Sequence, residues 1–124
     1  ILIVEDNHIN QKVALKLVER LGHEGYLVGN GLEALKALNE SKFDIILMDI
    51  QMPEMDGYDT TRSIRSSEKG TFSPLIPIVA MTAHIMKEDR DKCIEVGMND
   101  YLAKPISLED LRRVIQRWTI PLSS

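Results

Sequence analysis

The sequence predicts an α/β domain in which a parallel β-sheet is covered by helices on both faces. Three observations carry that prediction. Five short apolar runs alternate with amphipathic stretches along the chain, the order that builds strand–helix–strand units. The runs are apolar nearly throughout, as befits strands that meet water on neither face. The chain has 124 residues, 44% of them hydrophobic and 27% charged, which suits one globular domain with its own core and leaves no room for two.

Residues 1–4 form the first strand pattern, ended by Glu5-Asp6-Asn7. From His8 the period becomes helical, with Ile9, Val13, Leu17 and Leu21 recurring at spacings of four, and Gly22 supplies a C-terminal stop. Residues 26–28, between glycines, are a weaker strand. Asn30 with Glu33 resembles a capping box that opens a helix through Leu32, Leu35 and Leu38. Residues 43–48 are the strongest strand, apolar apart from Asp44, and stop at Asp49. A turn-forming stretch then reaches Asp56-Gly57, where glycine is available for a positive φ, and a helix is predicted from about Tyr58 to Arg65. Residues 66–74 are polar and read as a surface loop. Residues 76–81 are the fourth strand, with Pro77 near its start, where a missing amide is tolerated. A helix through Ile94 ends near Gly97, residues 101–103 are the fifth strand, and Ser107 caps a last helix holding Leu108, Leu111, Val114 and Ile115. The expected domain spans residues 1–119, and residues 120–124 read as a loose tail or the start of a linker. Opening on Ile1 inside an apolar run, the sequence looks trimmed from something longer.

Fifteen basic against nineteen acidic residues give a net charge of −4, which argues against nucleic-acid binding by this domain, because phosphates need basic surface to neutralise them. The lone Cys93 excludes an internal disulfide and does not by itself make a zinc site. No apolar run approaches the ~20 residues of a membrane span, and no signal peptide opens the chain. A reducing, cytoplasmic setting with no membrane contact by this domain is expected.

In open parallel sheets, ligands bind beyond the carboxyl ends of the strands. After the first predicted strand come Glu5 and Asp6; the third ends in Asp49, the fourth in Thr82, and the fifth runs into Lys104-Pro105. Three carboxylates, one hydroxyl and one ammonium should therefore converge on one edge of the sheet. Two unit charges ~5 Å apart at an effective dielectric of ~20 repel by about 3 kcal/mol, so such a site must raise pKa values or bind a cation. An all-oxygen set with room for water suits Mg²⁺ better than Ca²⁺, and no ligating His or Cys is placed for a softer metal. Each residue has a plainer alternative: Glu5 and Asp6 as helix caps, Asp49 as a turn residue, Thr82 as structural, Lys104 as a surface lysine. Their occurrence together at one edge favours a site.

Four segments resemble the receiver domains of two-component response regulators: Val4-Glu5-Asp6-Asn7, the run from Met48-Asp49-Ile50-Gln51 through Met52-Pro53 to Asp56-Gly57, Met81-Thr82-Ala83, and Asp100-Tyr101-Leu102-Ala103-Lys104-Pro105-Ile106. The resemblance implies a flavodoxin-like, doubly wound five-stranded parallel sheet in the order 2-1-3-4-5. It implies that Asp49 accepts a phosphoryl group from a phosphohistidine on a histidine kinase dimerisation domain or a histidine phosphotransfer domain. Glu5, Asp6, Asp49 and the carbonyl of Gln51 would coordinate Mg²⁺, Lys104 would pair with phosphoryl oxygens, and Thr82 would donate its hydroxyl. Ala83 would leave access to Asp49, with His84 near the pocket mouth and Pro105 following a cis peptide bond. Tyr101 matches the aromatic switch position and is expected to turn inward as Thr82 moves.

The resemblance is strongest to receivers of hybrid sensor histidine kinases, with a free or DNA-binding regulator as the alternative. The domain would then promote its own phosphorylation and dephosphorylation, its parent chain would be a histidine kinase, and activation leaves room for a homodimer. Three rival readings compete. A Mg²⁺-dependent phosphatase with an aspartate nucleophile would carry a second Asp where Gln51 stands. A flavin-binding domain would need a phosphate-cradling loop where Glu5-Asp6 stands. A degenerate receiver, acting only as a docking module, would have lost Asp49, Thr82 or Lys104.

Overall fold

The computed structural model describes residues 1–50, 56–66, 75–83 and 87–118. Strands and helices alternate as β1 (Leu2–Val4), α1 (His8–Arg20), β2 (Tyr26–Val28), α2 (Gly31–Glu40), β3 (Ile46–Asp49), α3 (Gly57–Arg65), β4 (Ile78–Thr82), α4 (Lys87–Val96), β5 (Asp100–Ala103) and α5 (Leu108–Trp118). All neighbouring strands pair in parallel, in the order β2-β1-β3-β4-β5. The expected doubly wound sheet is therefore present. Among the described residues no helix is long and apolar enough to cross a membrane.

Alternation along the strands divides the core in two. Leu2, Val4, Ile46, Met48, Ile78 and Ala80 pack on one face with residues of α2, α3 and α4, including Leu38, Ile64 and Cys93. Ile3, Leu47, Val79, Met81 and Leu102 pack on the other with Ala14 and Val18 of α1 and Leu111, Val114 and Ile115 of α5. Complete burial of each large aliphatic side chain contributes roughly 1.5–3 kcal/mol, which is why both faces of these short strands are apolar.

The helix starts are capped by side chains. Asn7 Oδ1 accepts from the amides of Ile9 and Asn10, Asn30 Oδ1 from Glu33, Asp56 Oδ1 from Asp59, and Ser107 Oγ from Asp110. Two helix faces differ from the sequence prediction. In α1 the core residues are Ala14 and Val18, while Ile9 is 72% and Val13 41% exposed. In α2 they are Ala34, Ala37 and Leu38, with Leu32 exposed. Of the predicted stripes, Leu38 is buried and Leu17, Leu21 and Leu35 pack partly buried against the core. Each inward face is thus turned only part-way from the predicted one, and small alanines let both helices lie close on the sheet.

Gly57 also acts differently from the prediction. Left-handed φ values occur at Gly22 (87°) and Gly97 (105°), not at Gly57. Gly57 serves close approach: a Cβ there would lie 2.5 Å from the backbone oxygen of Asp49 and 2.8 Å from Cα of Ile50. The start of α3 is thereby pressed against the end of β3, and the Gly57 amide donates to the Ile50 carbonyl at 2.8 Å. Gly57→Ala is expected to cost about 1–3 kcal/mol, as overpacking against backbone does. Urea denaturation checks this, and an unchanged midpoint would count against it.

At the opposite end of the sheet, Arg65 ties α3 to the strand entries. Its guanidinium donates to the carbonyls of Gly97 (2.8 Å) and Ile76 (2.7 Å) and to Asn99 Oδ1 (2.6 Å). Burial holds it below the usual arginine range. Most of the predicted loop at 66–74 and the predicted tail at 120–124 lie outside the described residues.

Candidate functional site

Parallel register brings the strand ends level. Val4 pairs with Met48, Asp49 with Met81, and Thr82 with Ala103, so the residues just past these pairs share one edge. Glu5 is 1% and Asp49 4% exposed, while Asp6 is exposed. Lys104 Nζ lies 2.8 Å from Glu5 Oε1 and 3.1 Å from Asp49 Oδ1. Carboxylate oxygens of Glu5, Asp6 and Asp49 all come within 4.8 Å of one another.

These residues open into a cleft of about 210 Å³ that Asn10, Thr82 and Ala83 also line. Asn10 was not anticipated. It lies in the first turn of α1, whose cap Asn7 also lines the cleft. Tyr101 is partly buried against the first core cluster, and Pro105 is exposed after a cis peptide bond; neither lines the cleft. Gln51 and His84 lie outside the described residues.

The electrostatics follow from burial of like charges. Burial and the adjacent Glu5 push the Asp49 carboxyl up to about 7, against the pull of Lys104. Burial also pushes Glu5 up, but hydrogen bonds from Asp49 and Lys104 outweigh it and leave Glu5 below its ordinary value. For Lys104, burial favours the neutral amine, yet its bonds to Glu5 and Asp49 prevail and raise it. The ammonium stays charged while the Glu5–Asp49 pair retains a proton close to neutrality. One cation facing three acids leaves a charge deficit, and the donors are all oxygen. That set fits a hard divalent ion that keeps some of its water, such as Mg²⁺.

The model of the response regulator receiver domain family matches residues 1–116. The chain belongs to this family. The receiver domain is 40% identical over 121 residues to hybrid signal transduction histidine kinase L of Dictyostelium discoideum, covering 95% of this chain and 7% of the kinase. It thus spans a small fraction of that relative. Among solved structures it resembles the receiver domain of sensor histidine kinase PA1611 from Pseudomonas aeruginosa PAO1, which has a magnesium ion coordinated in its active-site cleft. The TM-score is 0.84 at 44% identity, covering 94% of this chain and 93% of that one. It also resembles the receiver domain of Ssk1, solved with the histidine phosphotransfer protein Ypd1 of Saccharomyces cerevisiae. There the TM-score is 0.83 at 34% identity, with 94% and 86% coverage. This is a receiver domain of a two-component phosphorelay, homologous to those of hybrid histidine kinases.

Proposed function

We propose that this receiver domain accepts a phosphoryl group on Asp49 from a phosphohistidine of a partner domain, with Mg²⁺ as cofactor. A carboxylate oxygen of Asp49 attacks phosphorus, the bond from phosphorus to the imidazole nitrogen breaks, and the imidazole leaves with its electron pair and takes a proton from solvent. The observation that carries this reading is the reach of Lys104, whose ammonium contacts both Glu5 and Asp49. Phosphoryl transfer needs in-line positioning and neutralisation of charge on the transferred oxygens, and an ammonium in contact with Asp49 is suited to pair with them. Glu5, Asp6, Asp49 and the carbonyl of Gln51 would hold Mg²⁺, which supplies further charge neutralisation when bound. Thr82, in the cleft wall, would donate its hydroxyl to a phosphoryl oxygen. Ala83 keeps the approach open.

Shifting a two-state equilibrium from 1:99 to 99:1 takes about 5.5 kcal/mol, and one hydrogen bond to a charged group supplies ~1.5–3. Inward movement of the partly buried Tyr101 adds apolar burial to the Thr82 bond. The Ypd1 complex of the similar receiver supports a histidine phosphotransfer or kinase dimerisation domain as donor. The exposed Ile9 and Val13, on the helix whose start lines the cleft, give such a partner an apolar patch to cover. A cytoplasmic location and origin in a hybrid histidine kinase complete the reading, with His84 and Gln51 governing water access to the acyl phosphate.

Intact mass after incubation with acetyl phosphate tests it. A phosphate-sized increase is expected that requires Mg²⁺ and disappears in Asp49→Asn. A metal-independent adduct that survives this substitution would refute both the ion and the acceptor.

A further inference from the structure

We infer that Gln11 is a positioning residue that aims the Asp6 carboxylate and thereby sets divalent-cation affinity, an inference that rests on the Mg²⁺ reading above. Gln11 Nε2 reaches back from α1 to donate to the backbone carbonyl of Glu5 at 2.6 Å. The Glu5 amide belongs to the sheet, donating to Val28 at 3.1 Å, and the chain leaves the sheet just after it. The Glu5 carbonyl and the Asp6 N–H belong to one peptide plane. That N–H donates to Glu5 Oε2 at 3.1 Å. The plane is therefore held at both edges, by Gln11 on the carbonyl side and by Glu5 on the amide side.

The consequence falls on Asp6. Lys104 braces the carboxylates of Glu5 and Asp49 directly, whereas among the described residues Asp6 makes no ion pair and its side chain is exposed. Its direction depends on the backbone that carries it. The Asn7 cap fixes the following turn, with the Gln11 amide donating to the Asn7 carbonyl at 2.9 Å. Among the described residues, the Gln11 side chain thus ties α1 to the peptide on which Asp6 is mounted. A free peptide could rotate and swing the Asp6 carboxylate away from the other two acids.

Calorimetric titration with Mg²⁺ alone tests this on the intact chain, in wild type, Gln11→Met, Asp6→Asn and the double variant, with folding checked by circular dichroism. Gln11→Met keeps the side-chain length and removes the donor, and is expected to weaken Mg²⁺ binding on the order of 10-fold, as loss of a ligand-orienting partner does. Gln11→Asn, which keeps the amide one methylene short, should behave alike. If Gln11 acts through Asp6, adding Gln11→Met to Asp6→Asn should cost less than about two-fold more. Equal losses in both backgrounds would overturn the inference, as would unchanged Mg²⁺ affinity with a lowered urea midpoint, which marks a purely structural role. A wild-type chain that binds no Mg²⁺ would overturn the metal reading itself.

Discussion

Replacing Lys104 by methionine is expected to destabilise the metal-free domain by about 3 kcal/mol at pH 8, the low end of the cost of breaking a buried ion pair. Methionine keeps most of the apolar stem and removes the ammonium that lies 2.8 Å from Glu5 and 3.1 Å from Asp49. Two buried carboxylates are then left without their cation. The loss stays at the low end because Asp49, already pushed up to about 7, can keep a proton when the ammonium is gone. The deficit should shrink as pH falls through the carboxylate range, since protonated acids no longer need the partner. It should also shrink in excess Mg²⁺, because the variant lacks the ammonium that competes with the ion for Glu5 and Asp49 and so gains more from binding it, each protein being stabilised according to its own Kd. Urea denaturation in chelator at pH 8 and pH 4.5 gives the comparison. Equal midpoints for variant and wild type at pH 8 would remove Lys104 from the cluster's energetics. Phosphoryl uptake from acetyl phosphate should slow in the same variant.

The sheet and its functional edge were legible because their signals are local. Each strand is a short apolar run, and the residue that follows it is fixed by counting, so the sequence alone brings Glu5, Asp6, Asp49, Thr82 and Lys104 to one edge. Helix orientation was less legible. Around α1 the predicted stripe of Ile9, Val13, Leu17 and Leu21 and the pair Ala14 and Val18 are both apolar, and their mean directions lie about 100° apart. Residue size favours the first, whereas the structure buries Ala14 and Val18. What decides is how near a helix can come to the sheet, and no spacing rule reports that. Gly57 was misread for a related reason, since its role depends on a backbone brought against it from β3. The Arg65 knot links α3 to the carbonyl of Gly97, 32 positions on, and side-chain bonds to distant carbonyls leave no periodic trace. Gln11 escaped because a glutamine on a helix is ordinarily a surface residue.

Asp49→Asn is expected to stabilise the metal-free domain at pH 8 by about 2 kcal/mol, the opposite sign to most substitutions of buried residues. The unfolded carboxyl titrates near 3.8 and the folded one at about 7. Between those values the folded chain holds a proton that the unfolded chain has released, so wild-type stability falls as pH rises from about 4 to 7 and the full penalty applies above 7. About 1.4 kcal/mol per pKa unit sets a ceiling of roughly 4 kcal/mol for Asp49 alone. Glu5 shifts the other way; its stabilising contribution is present above its unfolded value and returns part of that amount. Asparagine keeps the volume, carries no charge, and can accept from Lys104 through its oxygen while donating to Glu5 through its nitrogen. The variant should therefore gain on wild type as pH is raised and lose that advantage near pH 4. Urea midpoints across pH 4–8 in chelator measure the gap. A gap that does not vary with pH, or a variant less stable at pH 8, would mean that Asp49 is not held under electrostatic strain. On the proposed function, the carboxylate that carries the penalty is the one a divalent ion would relieve and a phosphoryl group would modify, so stability of the metal-free domain would be traded for readiness to react.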